Sequence, residues 1–185
     1  MRFSPLVVLA AGAANALIVT RAPIPGYGVE QIEWSVEVFP GEFQLFTGTA
    51  EQVHAQALSI NPDFKPPRAS VARGLKEKRG HIDCDGMEPA DKAAIRDGAA
   101  YLRNLPPGHP TNGPGPNNCG RVSCSYNSGI WWCNDSTSQK SIDGWDWIAN
   151  SAQRITEVCD PGSIKTSGRN HEDGDWSTIV RGDSC

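Results

Sequence analysis

Residues 119–133, CGRVSCSYNSGIWWC, decide how this chain folds. Residues 119–126 and 130–133 are rich in Val, Ile, Trp, Tyr and Cys. They flank Asn127-Ser128-Gly129, so they read as two strands of a hairpin. Downstream, SIDGWDWIANSAQRITEVC (141–159) sets Trp145, Ile148, Ala149, Ala152, Ile155 and Cys159 along one helical face, with Ser141 as its cap. Upstream, Pro89 suits an early helical position, and Ile95, Ala99 and Leu102 share a face of a helix running to Leu105. His81-Ile82-Asp83-Cys84 begins a strand, and 106–116, dense in Pro, Gly and Asn, is an exposed loop. Residues 164–166 and 176–180 form a closing strand pair around the polar turn 168–175. The order β, α, β, β, α, β(β) predicts an α+β fold: a disulfide-stabilised sandwich of two helices on an antiparallel sheet, of the split βαβ, ferredoxin-like kind.

All six cysteines lie between Cys84 and Cys185. With no CxxC pair and no histidine at zinc-finger spacing, an even, clustered set reads as three disulfides rather than a metal site. The reading calls for no metal ion and no cofactor. Fifteen pairings of six cysteines are possible and the sequence alone does not choose among them; if the predicted topology holds, the ends of the first and third strands lie side by side, which favours Cys84 with Cys133. The second helix returns to the end of the second strand, which favours Cys124 with Cys159. Cys119 and Cys185 remain, an awkward pair because those ends lie on opposite sides of the same arrangement.

The N-terminal half has a different character. Arg2, the apolar run 5–14 and the small residues Ala14-Asn15-Ala16 predict a signal peptide, 1–16, cleaved after Ala16, with cleavage after Ala13 the near alternative. No later stretch is apolar enough to span a membrane. Ile32-Glu33-Trp34-Ser35-Val36-Glu37-Val38 alternates as a half-buried strand does, Pro40-Gly41 is a turn, and 43–46 resumes a strand. Thr49-Ala50-Glu51-Gln52 has capping-box spacing before Val53, Ala57 and Ile60 on one helical face. This small ββα unit, without a disulfide, is too small to be stable without a partner surface. Its partner is the cysteine-rich half. Between them, after Pro66-Pro67, the basic linker ends in Lys78-Arg79, which looks like a kexin-type processing site. The organisation is therefore signal peptide 1–16, pro-region 17–79 and mature domain 80–185. The mature domain carries nine Lys and Arg against fourteen Asp and Glu. Such an acidic domain is a poor electrostatic match for nucleic acid or anionic membrane.

The stretch CGRVSCSYNSGIWWCND, the helix DGWDWIANSAQRITEVC and the ending DWSTIVRGDSC together resemble a widespread group of small secreted fungal proteins classed as candidate effectors. The upstream WSVEVFPGEFQLFTGTAEQVHAQALSINP is similar to their pro-region. A looser similarity, in processing and in strand and helix order, is to the virally encoded killer toxins of smut fungi. The resemblance implies a secreted fungal protein and transfers no catalytic residue.

His81, His109 and His171 are the histidines of the mature domain, and only His171-Glu172-Asp173 forms a local cluster, in a polar turn. A hydrolase needs a histidine beside a carboxylate to move protons near neutral pH. No GxSxG, HExxH or phosphate-loop pattern is present. Adjacent Trp131 and Trp132 point to opposite faces of their strand, so one packs under the helices and the other is free to be exposed. Trp145 and Trp147 follow the same logic. Tyr126, Trp131 and Trp132 are thus the candidate binding surface. Asn134-Asp135-Ser136 is a glycosylation sequon, and Arg181-Gly182-Asp183 is an adhesion tripeptide by letter only. The expected function is a secreted effector or toxin-like protein that binds a host or microbial protein or glycan after its pro-region is removed. The alternatives are a killer-type antimicrobial toxin and a small secreted hydrolase such as a ribonuclease.

Overall fold

The computed structural model describes residues 21–65, 80–84, 86–105 and 109–185. The expected signal-peptide cleavage site at Ala16 and the expected processing pair Lys78-Arg79 lie outside the described residues. Residues 21–65 form β1 (Gly28–Val29), β2 (Glu33–Phe39), β3 (Glu42–Thr47) and α1 (Ala50–Ile60). From residue 80 follow β4 (Ile82–Asp83), β5 (Ala90–Asp91), α2 (Lys92–Arg103), β6 (Thr111–Asn112), β7 (Asn118–Ser125) and β8 (Ser128–Asn134). The chain closes with β9 (Lys140–Ser141), α3 (Trp145–Val158), β10 (Lys165–Thr166), β11 (Gly168–Glu172) and β12 (Trp176–Gly182).

The main sheet has the order β1-β7-β8-β12-β11-β4, antiparallel except where β1 lies parallel to β7. α2 and α3 pack on each other and on one face of this sheet. Ile95, Ala99 and Leu102 of α2 and Ile148, Ala149, Ala152 and Ile155 of α3 meet Val122, Ile130, Trp132 and Val180 in the core. The α+β class with two helices over an antiparallel sheet is thus present.

The strand order differs from a split βαβ sheet, in which the first strand of the cysteine-rich half would be central. Here β4 is at the edge and β12 is in the middle. The cause is the tight turn at Gly174 and Asp175, both at positive φ. It makes residues 168–172 a strand of the closing hairpin rather than a loop, and β12 pairs with β8 over seven residues. Residues 165–166 pair instead with β5.

Two local boundaries also move. The β7–β8 turn falls on Tyr126-Asn127, both at positive φ, as a two-residue hairpin of matching twist requires. Helix α2 starts after Pro89, at Lys92, because the Asp91 carboxylate caps the amides of Ala93 and Ala94. Ser141 lies in β9, and Gly144 precedes α3.

The disulfides are Cys84–Cys159, Cys119–Cys133 and Cys124–Cys185, so all three expected pairs are corrected. Cys84 cannot reach Cys133, because β11 and β12 separate β4 from β8. It meets Cys159 instead, where α3 ends above the β4–β11 edge. Cys119 and Cys133 face each other directly across the β7–β8 ladder, with Cα atoms 4.0 Å apart. Beyond β12 the chain returns to the hairpin end, where Cys185 meets Cys124. No bridge joins 21–65 to the rest.

Candidate functional site

The ββα unit has the elements its sequence predicts, but it is built into both layers of the larger half. On β2, Trp34, Val36 and Val38 alternate inward, and Val53 and Ala57 of α1 are buried with them. Ile60, expected on the same face, is exposed at the helix end. Gln52 Oε1 accepts from the Thr49 amide at 2.9 Å, as the capping-box spacing requires. β2 also pairs with β6 through Glu33 and Thr111.

The seam between 21–65 and the cysteine-rich half is lined by specific contacts. The Trp34 ring stacks on Trp145 with centroids 3.8 Å apart and planes 11° from parallel. Its Nε1 donates to the Gly48 carbonyl at 2.8 Å. Ile32 lies so close to β7 that a Cβ on Gly120 would fall 2.1 Å from its Cδ1, so only glycine fits there. From α1, Glu51 accepts from Ser123 Oγ at 2.5 Å, and His54 Nδ1 is 2.8 Å from the Tyr101 hydroxyl. Burial, and then the negative charge of Glu51, push the Tyr101 hydroxyl above its ordinary pKa and keep it neutral. Glu30 accepts from the Gly113 amide and from Asn118 Nδ2. The Tyr27 hydroxyl accepts from Arg169, whose guanidinium is held in turn by both oxygens of Asp135.

This seam overturns the expected aromatic surface. Trp131 and Trp132 do point to opposite faces, yet both are fully buried. Trp132 belongs to the helix-side core, which Ile32 and Trp34 complete. Trp131 sits on the other face in a second cluster with Cys119, Cys133 and Ile179, against which Ile24, Tyr27 and Val29 pack. Residues of 21–65 therefore help to cover both tryptophans. Of the three expected contacts only Tyr126 is exposed, at 85%. Trp145 is buried and Trp147 is half-buried.

Tyr126 stands on the rim of a concavity of about 790 Å³ whose lining includes Arg21, Glu88, Lys165, Arg181 and Asp183. Asp183 accepts from Trp131 Nε1 at 3.1 Å and from Arg121 at 3.2 Å, and the Arg181 guanidinium donates to the Pro23 carbonyl. The Arg-Gly-Asp letters are thus tied into the fold.

Asn134 is also corrected. It is fully buried, and its Nδ2 donates to the carbonyls of Gly113 and Ser138, each at 2.7 Å. Both amide hydrogens are used, so the folded chain leaves no place for a glycan on this side chain.

One constellation was missed in the sequence. His81 and His171 both contact the Asp83 carboxylate, at 2.7 and 3.2 Å from Nε2. The side chains are 76%, 37% and 55% exposed for His81, His171 and Asp83. Slight burial alone would raise the Asp83 carboxyl, but the hydrogen bonds and charges of His81 and then His171 outweigh it and hold it below its ordinary pKa. His109 lies apart, exposed at the start of the segment leading into β6. The signal for the cluster was the His-x-Asp spacing at 81–83, but only the β4–β11 pairing brings His171 to it.

Among the described residues no helix is long and apolar enough to cross a membrane. No protein-family model, no curated protein and no solved structure matches the chain.

Proposed function

We propose that this chain is a secreted effector or toxin-like precursor that acts by binding a host or microbial target, and that residues 21–65 occupy the binding surface until the linker is cut after Arg79. The observation that carries the reading is that this segment packs on both faces of the hairpin, with Ile32 against Gly120 beside Trp132 and Ile24, Tyr27 and Val29 against the cluster that holds Trp131, while no disulfide holds it. Before cutting, the segment is tethered at an effective concentration on the order of millimolar. After cutting, its occupancy depends on dilution, and aromatic surface suited to a protein or glycan partner opens where it leaves. The resemblance to fungal candidate effectors supports this assignment.

The test compares secreted protein from a kexin-competent fungus with the Arg79→Ala variant. Intact mass and N-terminal sequencing fix the cut. Size-exclusion chromatography at micromolar and low nanomolar concentration then follows release of the segment, and both proteins are applied to plant tissue and competing fungi. Activity confined to the cut protein supports the reading, and equal activity of the uncut variant overturns it. A killer-type toxin differs only in which cells respond. The secreted-hydrolase reading draws on His81, Asp83 and His171. It requires that His81→Ala or His171→Ala abolish a measurable turnover of RNA, glycan or peptide, while Tyr126→Ala does not.

A further inference from the structure

The geometry points to a copper(II) site at the N-terminus that cutting after Arg79 creates, formed by Gly80, His81 and His171. This rests on the processing reading above. His171 donates its amide to the His81 carbonyl at 2.8 Å, which makes the two residues cross-strand neighbours. Their rings lie on one face, centroids 6.3 Å apart and planes 26° from parallel. Asp83 accepts from Nε2 of both rings, which places the lone pair of each neutral imidazole on Nδ1. No described residue engages either Nδ1. A carboxylate fixing one ring nitrogen so that the other faces a metal is the usual support of a metal-binding histidine.

Side chains alone do not complete a site, since among the described residues no three His, Cys, Asp or Glu are arranged to hold a metal ion. The backbone supplies the rest. Once Arg79 is removed, the Gly80 nitrogen is a free amine. That amine, the His81 amide nitrogen and His81 Nδ1 can close a five-membered and a six-membered chelate ring on one ion. The ammonium and the amide each release a proton to solvent as the metal binds, and no electron is transferred. His171 Nδ1 supplies a fourth nitrogen. The fourth nitrogen sits beside His81 Nδ1 in the square, where two imidazoles each about 2 Å from the ion have ring centres roughly 4.5 Å apart, so the two exposed rings close from their present 6.3 Å as the ion binds. Four nitrogens in a plane select copper(II), or nickel(II), over zinc. Residue 80 is also held in place: a Cβ there would lie 1.6 Å from the His171 carbonyl oxygen, so the glycine backbone lies directly against the partner strand.

The probe is copper sulfate, titrated into secreted protein whose N-terminus has been sequenced. Calorimetry should give one ion per chain, and electron paramagnetic resonance should give a square-planar signal with nitrogen coupling. His81→Ala should abolish stoichiometric binding. His171→Ala should remove one nitrogen from the coupling pattern. Asp83→Asn should weaken affinity by about 10- to 100-fold. These side chains are exposed, and near-UV circular dichroism checks that each variant folds. A protein that begins at Gly80 and binds no copper overturns the site and leaves the processing reading standing. An N-terminus other than Gly80 overturns both. Equal affinity in the uncut Arg79→Ala variant also overturns the site, because there the amine does not exist.

Discussion

Replacing Trp34 by alanine tests whether the seam is held by the packing described. Trp34 is fully buried, its ring face lies on Trp145 and its Nε1 satisfies the Gly48 carbonyl. Truncating a buried tryptophan costs about 3–5 kcal/mol, and the carbonyl left without its donor moves the expectation to the upper end. The stacked face belongs to the seam, whereas the Nε1 bond lies inside the 21–65 segment. Assigning about half the loss, roughly 2 kcal/mol, to the seam predicts that the cut segment binds the cysteine-rich half about 30-fold more weakly. In the uncut chain the whole loss should appear in guanidinium unfolding. The assay is dissociation of cut protein on dilution, followed by tryptophan fluorescence, with Leu45→Ala as control. Leu45 is 75% exposed on β3 and should change stability by less than about 0.5 kcal/mol. If Trp34→Ala shifts the dissociation constant by less than threefold while lowering uncut stability, the stack does not hold the seam.

Three further outcomes follow from the same geometry. Replacing both Cys84 and Cys159 by alanine opens a loop of 75 residues and should cost about 4.5 kcal/mol, against about 3 kcal/mol for the 14-residue Cys119–Cys133 loop, measured by guanidinium unfolding. Asn134→Ala leaves the buried Gly113 carbonyl without its donor, while the exposed Ser138 carbonyl keeps Ser136 Oγ, and should cost about 1–3 kcal/mol; intact mass of the secreted wild type should show no glycan on this residue. The lowered pKa of Asp83 means that its ionised form stabilises the fold above the ordinary carboxylate value near 4, and that this contribution is lost as the pH falls through the lower folded value. The stability gap between wild type and Asp83→Asn should therefore close on acidification, and a gap that widens would refute the His81–Asp83–His171 arrangement.

Periodicity made the helices legible. The stripes on α2 and α3, the alternation on β2 and the capping box of α1 all stand where their spacing places them. Strand order was not legible, because the edge strand β4 has only two residues, too short to carry a pattern, and the polar run 168–175 conceals the strand β11 and the turn at Gly174-Asp175 that pairs it with β12. The disulfide pairing failed with it, since each expected bridge assumed a neighbour that the real sheet places elsewhere. The aromatic surface failed for a different reason. Alternation on β8 implied one open face, but all seven residues of the strand are buried. The unbroken apolar run Ile130-Trp131-Trp132-Cys133 carried that signal, for such a run marks a strand covered on both sides. Its second cover comes from residues 24–29, roughly a hundred positions away.

If the linker is cut as proposed, the uneven placement of the bridges sets the fates of the two pieces apart. Every disulfide closes on the larger piece, so that piece keeps its shape when the chain is severed. The smaller piece, about 45 described residues with no crosslink, has its tryptophan and valines matched to a surface it has left, and it is too small to keep a core alone. On the proposed processing, the released piece is then expected to lose its fold once it separates, so that the separation runs one way.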